Sequence, residues 1–465
     1  MTVRWGRILC AVFLVAAGFA GGPLWAQEKS SDDIPEGRGP FPSGPLLDLD
    51  AALKPYGIRP SFTYTGEVLG NPAGGMRQGA VYDGRVDLGI DADLDKLIGW
   101  SGAKFHANAF NNHGDGLSRE YVDNLMTVSS IEALNHTRLY ELWIEQTFGK
   151  NFSLRFGKLA ADDEFETSQY ANFFVNSTFG WPAISGINLP AGGPADPLTV
   201  MGVRAKATLS DELTLLFAMF DGNGPGPGHD DPENLDPHGL KFRVSDSPLL
   251  LAELQYGYKL GTSRPGKLKL GAWVHTGKFD DQRYDTLGLS LADPASNGMP
   301  AQHRGDFGPY AVFEQMLVPF DKDGQKGIAV YGRVQASPSD RNQINFYVDG
   351  GINVTGFWDA RPDDGFAVGF AYAGISPSAR GFDQDSVNFG TPTAVRNYEA
   401  LIEVAYSAQI KRGWTLQPDF QYIIHPGAGA SNPLLPANTQ PMANALVFGL
   451  RTTVQWGYRD PDSFQ

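Results

Sequence analysis

Glu141, Glu145 and Arg155 are the side chains whose types and spacing best suit chemistry, and Trp143 lies between the two acids. They belong to L-Y-E-L-W-I-E-Q-T-F-G-K-N-F-S-L-R-F-G-K, Leu139 to Lys158. Alternation places Glu141, Trp143, Glu145, Thr147, Ser153 and Arg155 on one side and Tyr140, Leu142, Ile144, Phe148, Phe152, Leu154 and Phe156 on the other. A tight turn at Gly149-Lys150-Asn151 folds the two runs into a hairpin, with Phe148 opposite Phe152, Glu145 opposite Arg155 and Trp143 opposite Gly157. Carboxylates accept hydrogen bonds and a guanidinium donates several, so the polar side is equipped for hydrogen bonding in both directions. The plainer reading is a structural ladder, in which Glu145 and Arg155 neutralise each other on a wet wall for about 0–1 kcal/mol.

The hairpin has two faces, and each needs a different neighbour. In a soluble sandwich the apolar face is the inside; in a membrane barrel it touches lipid and the charged face lines a lumen. The rest of the chain decides. Alternating runs recur at 58–69, 82–94, 103–110, 199–209, 213–220, 248–260, 267–278, 307–318, 327–337, 347–358, 365–376, 397–411, 414–424 and 443–456. With the hairpin's two they make about 16 strands; Leu240 to Val244 is assigned to a loop. Short connections (95–102, 149–151, 210–212, 261–266, 319–326, 359–364, 411–413) alternate with mostly long ones (112–136, 160–198, 221–247, 279–306, 377–396, 425–442). Outer-membrane barrels are built this way, with short periplasmic turns, long external loops and an even strand number. The expected fold is therefore all-β, a transmembrane antiparallel β-barrel wide enough for an aqueous channel.

Composition agrees with that reading. Arg4 and Arg7 precede an apolar run from Ile8 to Phe19, and Leu24-Trp25-Ala26 suits signal peptidase, so residues 1–26 are expected to be a cleaved signal peptide. Residues 27–56 form a leader and 57–465 the barrel. The single cysteine, Cys10, falls in the signal segment, which removes disulfide and thiolate-metal chemistry from the mature chain. A formal charge of −15 argues against nucleic acid. The mean hydropathy of −0.25 is compatible with a barrel, because lumen-facing residues dilute the lipid-facing ones. The loops H-D-D-P-E-N-L-D (229–236) and D-K-D-G (321–324) lack complete calcium-ligand spacing and are read as solvated acids. No paired-histidine motif, G-x-S-x-G or P-loop occurs; neither metal nor cofactor is expected, and no catalytic residue is assigned.

Several blocks, in order, resemble the carbohydrate-selective porins of the OprB type: G-I-R-P-S-F-T-Y-T-G-E (57–67), D-L-G-I-D-A-D-L-D-K-L-I-G-W-S-G (87–102), L-Y-E-L-W-I-E-Q-T-F (139–148) with L-R-F-G-K (154–158), F-V-N-S-T-F-G (174–180), Y-E-A-L-I-E-V-A-Y (398–406), W-T-L-Q-P-D-F-Q-Y-I-I-H-P-G (414–427) and G-L-R-T-T-V (449–454). The resemblance implies a bacterial outer-membrane barrel of 16 strands for passive diffusion of glucose-like sugars. Its partners would be monosaccharide or small oligosaccharide solutes, outer-membrane lipid and the barrel-assembly machinery, with single barrels and homotrimers both open. The chain departs from the pattern at its end, where nine residues follow Trp456.

For such a lumen, Glu141, Glu145 and Arg155 are expected to supply hydrogen bonds and Trp143 a stacking face. The long connection 160–198 is expected to fold inward as the constriction, because a loop of that size must either enter the pore or lie outside it. Asn176, Phe179 and Trp181 are then the pore-facing residues, and Arg85, Asn108 and Arg204 complete the ring from the polar phase of their strands. Two other readings stand beside this one: an outer-membrane barrel enzyme, and a secreted soluble β-protein that binds carbohydrate.

Overall fold

A computed structural model describes residues 45–435 and 440–457. The expected signal peptide, most of the leader and the tail after Gly457 lie outside the described residues. The sixteen strands are β1 (Ile58–Ala73), β2 (Gly79–Asp93), β3 (Ala103–Gly114), β4 (Thr137–Phe148), β5 (Phe152–Leu159), β6 (Val200–Thr208), β7 (Leu213–Phe220), β8 (Leu249–Leu260), β9 (Arg264–Asp285), β10 (Pro300–Pro319), β11 (Gly327–Ala336), β12 (Ile344–Thr355), β13 (Gly365–Ile375), β14 (Tyr398–Lys411), β15 (Trp414–Ile424) and β16 (Ala445–Gly457). Each pairs antiparallel with the next, and β1 with β16 closes the barrel. Closure removes the free edges that would otherwise leave backbone groups unpaired in hydrocarbon. The described part of the leader is a helix, α1 (Pro45–Leu53), whose Asp50 accepts from Arg59 Nε at 2.8 Å beside β1.

The hairpin of β4 and β5 pairs Glu145 with Arg155, Phe148 with Phe152 and Trp143 with Gly157. At Gly157 φ is +145°, and a Cβ there would run into the backbone of Leu142 and Trp143; only glycine allows the two strands to approach this closely. Outward, Phe148, Phe152 and Phe156 are 51%, 39% and 59% exposed, and the row continues around the barrel through Phe217, Leu270, Phe313, Ile352, Phe370 and Phe448. Inward, Arg155, Arg204, Glu253, Arg333, Asp349 and Glu403 are buried. A soluble fold would lose free energy on both counts, whereas a bilayer outside and a hydrated or hydrogen-bonded inside reverse the sign of each. No described helix is long and apolar enough to cross a membrane; the strands do the crossing.

One residue breaks the expected alternation. The β3–β4 register shifts between Ala107 and Ala109, so that Asn108 stands against both Tyr140 and Glu141. A bulge of this kind turns consecutive side chains to one side. Tyr140, expected among the lipid-facing residues, is instead buried inside, its ring 4.2 Å from that of Phe110. The strands β9 and β10 also run further than expected and take up much of 279–306.

The connections 115–136 and 160–199 fold into the barrel, and the wall receives them with carboxylates. Glu399 accepts from the amides of Leu125 and Met126 at 2.8 and 2.7 Å, and Glu403 from those of Val175 and Asn176 at 2.5 and 3.1 Å. Glu253 and Glu314 do the same for Glu166 and Gln169 at 3.0 and 2.8 Å. Around these bonds Phe174, Phe179, Ile184, Met126 and Val128 pack on Tyr331, Tyr347, Leu401 and Ile423. Strand β13 makes room: its inward positions are Ala367, Ala371 and Ala373, while Phe366, Val368 and Phe370 point out. The inserted loops thus pack against the wall from β6 round to β16.

The acids of 229–236 are not solvated as a group. Glu233 is buried and takes Arg138 at 3.0 Å, and Asp236 takes Lys158 at 3.3 Å, so that this segment is tied across the mouth to β4 and β5.

Candidate functional site

A cavity of about 150 Å³ lies between β1 to β4 and the loop 160–199. This is below the ~300 Å³ at which small-molecule holding sites usually begin. The wall contributes Ser61 and Thr63 from β1, Arg85, Asp87, Gly89 and Asp91 from β2, His106, Asn108 and Phe110 from β3, and Tyr140 and Glu141 from β4. The loop 160–199 closes it with Asp162, Asp163 and Asp196.

Arg85 spans the gap. Its Nη2 donates to Asp196 Oδ1 at 2.7 Å and its Nη1 pairs with the other oxygen, while Nε donates to Asn112 at 3.0 Å. The guanidinium lies 4.4 Å from the centre of the Phe110 ring, a cation–π contact. Strand β2 and loop are therefore joined by a fork across the cavity. On the neighbouring strands His106 Nδ1 is 2.7 Å from Asp91 and its Nε2 3.8 Å from Glu141. Asn108 donates to Asp87 at 3.3 Å and accepts the Glu141 amide at 2.9 Å, which follows from the bulge. Asp162 accepts the Asp196 amide at 3.0 Å. Burial, with Asp163 and Asp196 close by, holds the Asp162 carboxyl well above the usual carboxylate range.

Behind this wall the remaining charges form a second, closed cluster. Arg155 donates to Glu145 at 2.9 Å; Arg204 donates to Glu164 at 2.6 Å, to Glu145 at 3.1 Å and to Ser153 at 2.9 Å. Trp143 is the partition. Arg155 lies 3.9 Å over one part of the indole and His106 stacks on it at 5.0 Å. Trp143 is buried in this stack, with no place among the cavity's lining residues.

Of the residues expected at the lumen, Arg85, Asn108 and Glu141 border the cavity; Glu145, Arg155 and Arg204 sit in the cluster behind it. Asn176 and Phe179 do not face the pore. Asn176 is 1% exposed and bonds Met126 and Gln421, and Phe179 packs on Phe174, because the F-F-V-N-S-T-F segment is the loop's seam with the wall. Trp181 is half-buried, its Nε1 donating to Gly192 within the loop. Sequence reasoning missed Asp87, Asp91, His106, Phe110, Asp162, Asp163 and Asp196. The first three share the inward phase of Arg85 and Asn108, and A-A-D-D-E directly after β5 is an acid-rich entry to the inserted loop.

With this geometry in place, comparison with known proteins gives a consistent answer. Residues 77–456 match the family described as carbohydrate-selective porin, OprB family. The chain belongs to that family. It is 24% identical over 427 residues to Porin B of Pseudomonas aeruginosa, covering 83% of this chain and 85% of that one. It is 20% identical over 369 residues to a putative porin, QuiX, of Acinetobacter baylyi, covering 74% and 78%. Among solved structures, OprB of Pseudomonas putida at high pH superposes with a TM-score of 0.78 at 22% identity, covering 91% of this chain and 100% of that one. This OprB-family chain is thus a bacterial outer-membrane sugar porin.

Proposed function

We propose that glucose-like sugars cross this barrel singly and passively through the cavity between β1–β4 and the loop 160–199, with no bond made or broken. The observation that carries the reading is the wall itself: Asn108, Ser61, Thr63, Arg85 and the carboxylates offer donors and acceptors at close quarters, while Phe110 and Tyr140 supply ring surface. Each sugar hydroxyl both donates and accepts, so water can be exchanged for wall groups one at a time. Passage needs binding favourable enough for entry and weak enough for exit. Arg85, Asn108 and Glu141 are the contacts; Trp143, Glu145, Arg155 and Arg204 hold their background in place. The same reading has residues 1–26 removed on export, 57–465 delivered to the outer membrane by the barrel-assembly machinery, and each barrel conducting by itself, alone or in a trimer.

Purified protein in planar bilayers and proteoliposomes tests this. Expected are open-channel current, its reduction by added glucose, and glucose-driven swelling absent from protein-free liposomes. Current without glucose entry would remove the sugar and leave the pore.

A further inference from the structure

The connection 221–248 does not stay above the rim. Its part 236–246 crosses to the outer face of the barrel, and Lys158 marks the crossing. On β5 this lysine shares the outward phase of Leu154 and Phe156, stands opposite Leu142 and Met201, and is nevertheless buried. The connection covers it. Lys158 Nζ donates to the Gly239 carbonyl at 2.6 Å and to Asp236 Oδ2 at 3.3 Å, and the Phe242 ring lies 5.8 Å away.

The wall needs this cover. Strand β5 ends at Leu159 and its pairing with β4 stops at Leu142, so the upper part of β4 lacks a β5 partner. His238 supplies one: its carbonyl accepts from Leu139 N at 3.0 Å, and a Cβ on Gly239 would strike the Leu139 carbonyl oxygen. Backbone groups opened at membrane depth have to be satisfied by other protein. The depth follows from the strand. Lys158 is six residues above Phe152, which at ~3.3 Å per residue and a tilt of about 40° is roughly 15 Å, within the ~25 Å apolar band of such barrels.

The side chains of 236–246 are sorted the same way. Asp236 Oδ1 accepts from the amides of Leu240 and Lys241 at 3.0 and 3.3 Å, Lys241 Nζ donates to the Pro225 carbonyl at 2.8 Å, and Arg243 donates twice to Asp246 at 3.0 and 2.7 Å. The charges are thus neutralised or bonded within the connection, while Leu240, Phe242 and Val244 are 62%, 47% and 76% exposed. On the same outer face, Phe156 and Val203 carry the lipid-facing row up to Lys158 and Met201.

We propose that residues 236–246 are a strap bedded in the outer leaflet, with Leu240, Phe242 and Val244 against acyl chains. The strap completes the wall where β5 leaves it and shields Lys158 from hydrocarbon. Its partner is a lipid surface, and nothing in this depends on what passes through the lumen.

Nitroxide scanning in phospholipid vesicles tests it. In a Cys10→Ser background, Phe242→Cys and Val244→Cys are each labelled and compared with Lys150→Cys in a periplasmic turn. At 242 and 244 the accessibility to oxygen is expected to exceed that to a nickel chelate, and at 150 the order is expected to reverse. Nickel access at 242 and 244 equal to that at 150 would put the strap in water and overturn the proposal. Low access to both reagents, with dipolar broadening that unlabelled protein removes, would put a second copy of the chain on the strap and overturn it equally. Wild-type protein gives a check that no substitution can disturb: in vesicles containing a lipid with a diazirine on its acyl chain, photoadducts should map to 240–244 as well as to Phe156. Adducts at Phe156 with none at 240–244 would reject the strap.

Discussion

Arg333 on β11 and Asp349 on β12 stand opposite one another in register and form a buried forked pair, Nε donating to Oδ2 at 2.9 Å and Nη2 lying 2.7 Å from the same oxygen. The remaining donors of that guanidinium reach the inserted loop: Nη1 to the carbonyls of Glu166 and Gly180 at 2.8 and 3.1 Å, Nη2 to those of Thr178 and Phe179 at 2.8 and 2.9 Å. One side chain of the wall therefore fixes two separate bends of the loop. Replacing Arg333 by Ala leaves Asp349 buried without its cation and should cost about 3–5 kcal/mol. Denaturant titration of the folded barrel in detergent measures this, and single-channel records of the variant should show larger, noisier openings.

Glu166 gives a dependence on pH. Burial pushes its carboxyl up to about 8, opposed by the Ser185 hydroxyl and Arg333 and reinforced by Glu253. A carboxyl whose folded value is raised favours the protonated native state, so its contribution is fully present below its unfolded value and is lost as pH rises through about 8. Thermal melts between pH 5 and 9 should show the wild type losing stability toward the alkaline end and Glu166→Gln losing less. Parallel curves would remove Glu166 as the cause.

At the cavity, Arg85→Ala removes the fork between β2 and Asp196. Two effects should follow together: a wider opening, seen as higher unit conductance, and a stronger preference for cations, seen in the reversal potential. A change in conductance with unaltered ion preference would mean that Arg85 acts by bulk rather than by charge.

The outward row makes a prediction about the membrane. Phe156 is 59% exposed on the outer face of β5, and Phe156→Arg should cost about 2–4 kcal/mol if that position lies near the bilayer midplane. Folding into lipid vesicles under denaturant measures the difference; a neutral substitution would place Phe156 near the headgroups.

The period-2 pattern carried most of the architecture because lipid and lumen impose opposite demands on alternate residues. Strand number, the Glu145–Arg155 and Phe148–Phe152 pairings and the alternation of short and long connections are all local consequences of that rule. Tyr140 was misplaced because a bulge adds one residue without leaving a pattern that periodicity can register. Asn176, Phe179 and the seam they occupy were misread for a different reason. Which side of an inserted loop meets the wall depends on alanines in β13, far away in sequence. Asp196 became visible only when the loop returned it to Arg85, more than one hundred positions earlier.

The off-centre seating of the inserted loops divides the molecule into a half that is held and a half that is open. Strands β6 to β16 are committed to gripping chain, and changes there will be felt first as altered rigidity. On the proposed reading, permeability is set by one contiguous stretch of ribbon, β1 to β4, together with a few acids at the two ends of a single loop. A graft confined to those pieces should carry its filtering character to another barrel of this build without rewriting the rest.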